Sequence, residues 1–129
     1  MLQKIFEAYC IEENTSAAQP FGSGLINHTW KVSVNGNSFI LQRINHQIFK
    51  SPQDIGYNIA LTGNYLQQHY PGYLFVLPIK SKDGAELFFD GNDGYFRLMP
   101  FVNNSHTVDV AEQPQLAFEA AKQCGRLTK

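Results

Sequence analysis

The segment Val32-Ser33-Val34-Asn35-Gly36-Asn37-Ser38-Phe39-Ile40 constrains this chain more than any other. Asn-Gly suits the left-handed backbone angles of a two-residue hairpin turn, and β-formers flank it on both sides. It predicts two antiparallel strands, over residues 29–34 and 39–44, joined by a tight hairpin. Strand alternation then assigns faces. Phe39, Leu41 and Arg43 share one side of the later strand, and Ile40, Gln42 and Ile44 share the other. A second turn lies just upstream, where Gly22 and Gly24 separate a short strand-like run, 18–21, from the hairpin. Without side chains, the backbone N–H groups of such a turn can approach an anion closely. Most short Gly-x-Gly motifs are plain turns, so this one alone does not decide between the two roles.

The rest of the chain supplies helices and further strands. Leu2, Ile5, Phe6 and Tyr9 fall on one stripe of a short helix, read as a docking helix within residues 1–11. Residues 11–19 are small and polar and read as a linker. Ser51-Pro52 is a helix start, with Ser as N-cap and Pro in the first turn. From there to His69, Ile55, Ile59, Leu61, Tyr65 and Leu66 keep a helical rhythm that Gly56 and Gly63 weaken. This long helix should lie across the sheet, and Pro71-Gly72 ends it. Residues 74–79 read as an irregular or edge strand because they contain Pro78. A last hairpin spans 86–90 and 95–101, turning near Asp93-Gly94. After Pro114, residues Leu116, Phe118, Ala120, Ala121, Cys124 and Leu127 open a helix with an apolar side. No stop signal follows, so residues 114–129 are expected to begin a connection to a further lobe.

Bulk properties exclude several classes. A length of 129 residues fits one domain with its own core. A net charge of -1 makes no nucleic-acid surface. No apolar run approaches membrane-spanning length, and Lys4 and Glu7 interrupt the N-terminal apolar residues, so neither a membrane segment nor a signal peptide is expected. Cys10 and Cys124 show no metal-like spacing and read as free thiols of a cytoplasmic protein. His28, His46, His69 and His106 have no ligand spacing either, so no metal is assigned to this chain.

The order is glycine-rich hairpin, third strand, long helix, further strands, polar connector, helix. An α+β domain of about five antiparallel strands, with one helix inserted after the third, is the layout of a protein-kinase-like N-terminal lobe. The segments Gly22-Ser23-Gly24-Leu25-Ile26-Asn27-His28-Thr29, Leu41-Gln42-Arg43-Ile44-Asn45-His46 and Phe49-Lys50-Ser51-Pro52 carry a more specific likeness. Together they resemble the aminoglycoside-phosphotransferase-like small-molecule kinases, closest to the N-acetylhexosamine 1-kinase group. The likeness runs from about residue 20 to residue 127.

That resemblance implies an ATP-dependent sugar kinase of two lobes, of which residues 1–129 form the N-terminal, nucleotide-binding lobe. The loop from Gly22 through Ser23 and Gly24 to Asn27 would cover the phosphates. The adenine would lie against Phe21, Thr29 and Ile40 and bond to the backbone near Met99, Phe101 and Val102. Kinases place a lysine on the third strand, paired with a helix glutamate. Here Gln42 stands at the inward position, with Arg43 beside it as the alternative if a bulge turns it inward. The helix from Pro52 to His69 contains no Glu. No segment of the catalytic-loop type occurs, so no catalytic residue is assigned, the ligands of Mg2+ are expected in the missing lobe, and the chain alone is expected to be inactive. The small sugar substrate would also meet that lobe. A lobe of this kind exposes the face meant for its partner, so self-association is expected. The alternatives are a kinase for another alcohol, such as an aminoglycoside, homoserine or choline, and a non-catalytic interaction module.

Overall fold

The computed structural model describes residues 2–12, 16–22, 27–91, 94–102 and 110–128. Its elements are α1 (Leu2–Ala8), β1 (Ser16–Pro20), β2 (His28–Val34), β3 (Asn37–Ile44), α2 (Pro52–His69), β4 (Phe88–Phe89), β5 (Tyr95–Pro100) and α3 (Pro114–Thr128). The five strands form one antiparallel sheet in the order β1-β2-β3-β5-β4. The fold is α+β, as the pattern of turns and apolar runs predicts.

Asn35 and Gly36 do what their types allow. Both take positive φ, 50° and 83°, and Val34 pairs with Asn37 across them. The register then runs without a break from His28↔Arg43 to Val34↔Asn37 on one side of β3. On its other side it runs from Phe39↔Pro100 to Ile44↔Tyr95. Residues paired in register share a face, so each strand presents a core side and an open side.

The core lies between the sheet and α1. Ile5, Phe6, Ala8 and Tyr9 pack against Val32, Leu41, Phe96 and Leu98, with Ala18, Trp30, Val34 and Phe39 closing the margins. Ile5, Val32, Leu41 and Phe96 are each no more than 1% exposed. Helix α1 ends in a Schellman cap. Cys10 takes φ 57°, Cys10 N–H donates to the Glu7 carbonyl and Ile11 N–H to the Phe6 carbonyl at 3.2 and 2.8 Å. Ile11 then turns back onto the core. Residues 11–19 are therefore not simply a linker: Ile11 closes the helix and Ser16 already begins β1. The cap was hidden because a cysteine occupies the position usually held by glycine.

Among the described residues the buried Tyr9 hydroxyl has no partner of good hydrogen-bond geometry, the Leu98 backbone being only a neighbour. Burial pushes its pKa from 10.0 up to about 12, with the neighbouring Leu98 backbone opposing the shift. The folded phenol stays protonated where the unfolded one ionises, so the contribution of this group to stability should be constant below pH 10 and fall between pH 10 and 12. Tyr9→Phe removes the orphaned hydroxyl. It should stabilise the fold by about 1 kcal/mol and weaken this alkaline decline, read from urea midpoints at pH 8 and at about pH 11. A destabilised variant would show that the hydroxyl has a partner in solution.

Helix α2 begins and ends near its expected bounds, but Ser51 makes no side-chain cap; instead its carbonyl accepts from Asp54 N–H at 3.0 Å. Leu61 and Tyr65 of the apolar rhythm face solvent at 57% and 54% exposure. The buried positions are Pro52, Gly56 and Gly63. The glycines give α2 close contact with the chain segment before β5: Leu87 approaches Gly56, and Leu77 fills the space at Gly63. Residues 74–79, expected as a strand, contribute only the bridge Ile79↔Leu98. Pro78 has no N–H to extend it. The strand expected over 86–90 shrinks to Phe88–Phe89, with Leu87 turned to the helix instead. No described helix is long and apolar enough to cross a membrane.

Candidate functional site

With α1 sealing one face, the opposite face of the sheet carries Thr29 and Lys31 from β2, Ile40, Gln42 and Ile44 from β3, and Tyr95, Arg97 and Met99 from β5. Helix α2 reaches one end of this face, where Gln53 Nε2 donates to the Tyr95 hydroxyl, and Ile44 there is 1% exposed. Toward the other end Thr29, Lys31, Ile40, Gln42, Arg97 and Met99 stay half-buried.

Polar residues form a chain across the middle of this face. Arg97 donates through Nε and Nη2 to the Gln42 Oε1, at 2.9 and 2.6 Å. Gln42 Nε2 donates to Thr29 Oγ1 at 3.3 Å. The Arg97 side chain is sufficiently desolvated to pull its pKa below the usual guanidinium range. Beside the polar chain lie Ile40 and Met99, paired in register. Farther along, Phe21 meets Phe101 edge-on with ring centres 5.9 Å apart, and the Lys31 ammonium sits 4.2 Å from the Phe101 ring centre. The arrangement combines an apolar patch bordered by aromatic rings with a guanidinium, a hydroxyl and an amide group at one end. That combination can hold a flat heterocycle joined to an anionic tail.

The candidate residues read from the sequence divide cleanly. Thr29, Ile40, Gln42 and Met99 come together on the open face. Phe101 and Val102 continue from β5 at its margin, where Phe101 N–H donates to the Ser38 carbonyl at 3.3 Å. Gly22 follows β1 at φ 81°, with no described atom within 4 Å of where a Cβ would stand. Ser23 and Gly24 lie outside the described residues. Asn27 serves the scaffold: its Oδ1 accepts from the Asn45 backbone N–H at 2.8 Å, tying the return of the glycine loop to the end of β3. Asn27→Ala should cost about 1 kcal/mol by stranding that N–H, whereas Asn27→Asp, which keeps the acceptor, should cost less in urea unfolding. Equal losses would deny the bond its role.

Arg43 does not belong to the site. It pairs with His28 and Phe96, on the core side with Leu41, and the unbroken register leaves no bulge to turn it inward. Arg97 and Lys31 join the candidate residues on the open face without having been singled out from the sequence. The signal was present as the alternation Tyr95-Phe96-Arg97-Leu98-Met99, but only the β3–β5 register sets Arg97 opposite Gln42.

Two surface hollows lie elsewhere. One of about 620 Å³ is bordered by Gln53, Tyr57, Leu87 and Tyr95, and one of about 880 Å³ by Tyr65, Tyr70, Tyr73 and Leu127. Neither contains the Thr29–Gln42–Arg97 chain, whose chemistry, not its depth, marks the site. Every described side chain of α3 is exposed.

No protein-family model matches the chain. Among solved structures, the chain is similar to spectinomycin phosphotransferase APH(9)-Ia, determined in complex with ADP and spectinomycin, with a TM-score of 0.55 and 14% sequence identity. The match covers 85% of this chain and 32% of that protein. At this identity the likeness establishes the fold: the chain has the architecture of a kinase-like N-terminal lobe, of the kind found in an aminoglycoside phosphotransferase.

Proposed function

We propose that the chain is the nucleotide-binding lobe of an ATP-dependent phosphotransferase that acts on a hydroxyl group of a small molecule. The observation that carries this reading is the open sheet face, where Ile40 and Met99 adjoin the Thr29–Gln42–Arg97 chain. The base of ATP would lie on Ile40 and Met99 beside Phe21 and Phe101. Thr29 would face its ribose and Gln42 and Arg97 its phosphates, and Gly22 would open the loop over them. ATP supplies the transferable phosphoryl group, and in such reactions positioning and charge neutralisation provide most of the catalysis. This chain's part is to orient the nucleotide and exclude water above it.

Among the described residues, no three His, Cys, Asp or Glu side chains lie together as a metal site would require. The resemblance to small-molecule kinases carries over neither a Mg2+ ligand nor a catalytic base to these residues. Both belong, on this reading, to a second lobe, and residues 114–129 lead toward it. The acceptor follows from the family resemblance alone, carried by the Leu41-Gln42-Arg43-Ile44-Asn45-His46 segment: an N-acetylhexosamine, which the second lobe would bind.

Thermal unfolding with and without ADP tests the nucleotide reading. A ligand at about a hundred times its dissociation constant stabilises the native state by about 2.7 kcal/mol, so ADP should raise the melting temperature by several degrees. An unchanged melting temperature at millimolar ADP would oppose it. Phosphoryl transfer by the whole gene product to N-acetylhexosamine, compared with homoserine, choline and an aminoglycoside, tests the acceptor.

A further inference from the structure

Arg97 is unusual among the charged residues of this protein. Its guanidinium has five N–H donors, and the two engaged ones both go to a single neutral acceptor, Gln42 Oε1. Among the described residues it has no carboxylate partner. A half-buried cation normally meets an anion, because desolvation otherwise goes uncompensated. The lowered pKa of Arg97 has burial as its cause, with no anion acting in the other direction.

Its position suggests what the missing anion is. Arg97 stands opposite Gln42, the strand position at which kinases present a phosphate-binding lysine. A neutral amide cannot supply that charge, but it can aim one. Gln42 Oε1 gathers two N–H groups of Arg97, while its Nε2 is held by Thr29 Oγ1. The amide is thereby locked with its oxygen toward β5, and the guanidinium is fixed with its remaining N–H groups unpaired among the described residues. A planar guanidinium presented edge-on suits phosphate oxygens.

We propose that Arg97 is the cation that meets the phosphates of a bound adenine nucleotide, with Gln42 as its positioning residue and Thr29 fixing Gln42. The proposal rests on the nucleotide-binding reading and adds to it a charge supplied from β5 instead of β3.

Calorimetric titration of the purified chain with ADP and with adenosine separates the two ideas. The unmodified chain should bind ADP at least about tenfold more tightly than adenosine, as expected of charge-assisted phosphate contacts. Arg97→Met should abolish that preference and leave adenosine affinity within about twofold, a phosphate-specific loss that misfolding would not produce. ADP affinity unchanged in Arg97→Met would overturn the role of Arg97 and leave the nucleotide reading intact. Failure of the unmodified chain to bind either compound would overturn both. Gln42→Glu provides a variant that should fold even if Arg97→Met does not, since the new carboxylate pairs with Arg97. By occupying and neutralising the guanidinium it should weaken ADP about tenfold while sparing adenosine, and undiminished ADP affinity would contradict the proposal.

Discussion

Gly63→Ala should destabilise this protein by about 2 kcal/mol, against the usual direction for such a change in a helix. At an ordinary interior helix position, alanine improves on glycine by about 1 kcal/mol. Here the added Cβ would lie 2.2 Å from Leu77 Cδ2 and 2.8 Å from its Cγ. Rotating the tip of Leu77 cannot relieve contact with Cγ, so the side chain or the helix must shift. Gly56→Ala provides the graded comparison, because its nearest neighbour, Leu87 Cγ, would be 3.2 Å away; it should be near neutral. Leu77→Ala combined with Gly63→Ala should recover part of the loss, a coupling expected of residues in direct contact. Urea unfolding of the four proteins checks the series. Stabilisation by Gly63→Ala would mean that α2 does not depend on this contact.

Ile5→Ala should cost more still, about 3 kcal/mol, because it opens a cavity in a fully buried cluster. Ile5 is 1% exposed and packs with the core face of the sheet. Leu61→Ala, in the much longer α2, should cost no more than about 0.5 kcal/mol, since Leu61 is already in solvent. The contrast assigns the two helices different work. The short N-terminal helix closes the hydrophobic core, and the long one rests on an irregular segment beside the sheet. Equal losses at the two positions would contradict that division.

These elements show what was legible in the sequence. Asn35-Gly36 was readable because its chemistry admits few alternatives, and the strands around it followed with correct faces. Alternation alone put Gln42 with Ile40 and Arg43 with Leu41, and the register agrees. The apolar stripe at α1 was readable for the same reason, since Ile5, Phe6 and Tyr9 at helical spacing make one buried side. Helix α2 misled because its contact is made by absence: Gly56 and Gly63 look like weaknesses until Leu87 and Leu77 are seen to approach them. The segment 74–90 misled in the opposite way. Its β-forming residues suit a strand, but Pro78 interrupts the ladder and Leu77 and Leu87 are taken up by the helix.

The candidate site was legible in part. Its β2 and β3 residues follow from one hairpin. Arg97 required a contact between residues 55 positions apart, which no local pattern encodes. The kinase resemblance implied a cation on the third strand, and the one that strand contains is Arg43. The structure places that residue on the core side and supplies a different arginine from the neighbouring strand.

On the proposed reading, the open face of the sheet, and not the α1 side or the hollow beside Tyr57, receives an adenine nucleotide. Methyl-resolved NMR during an ADP titration tests it most directly. The signals of Thr29, Ile40 and Met99 should move together and saturate, while those of Val32, Leu41 and Leu98, on the opposite face, stay nearly fixed. Movement centred on Val32, Leu41 and Leu98, on Ala60 and Leu87 at the hollow, or nowhere, would contradict the claim.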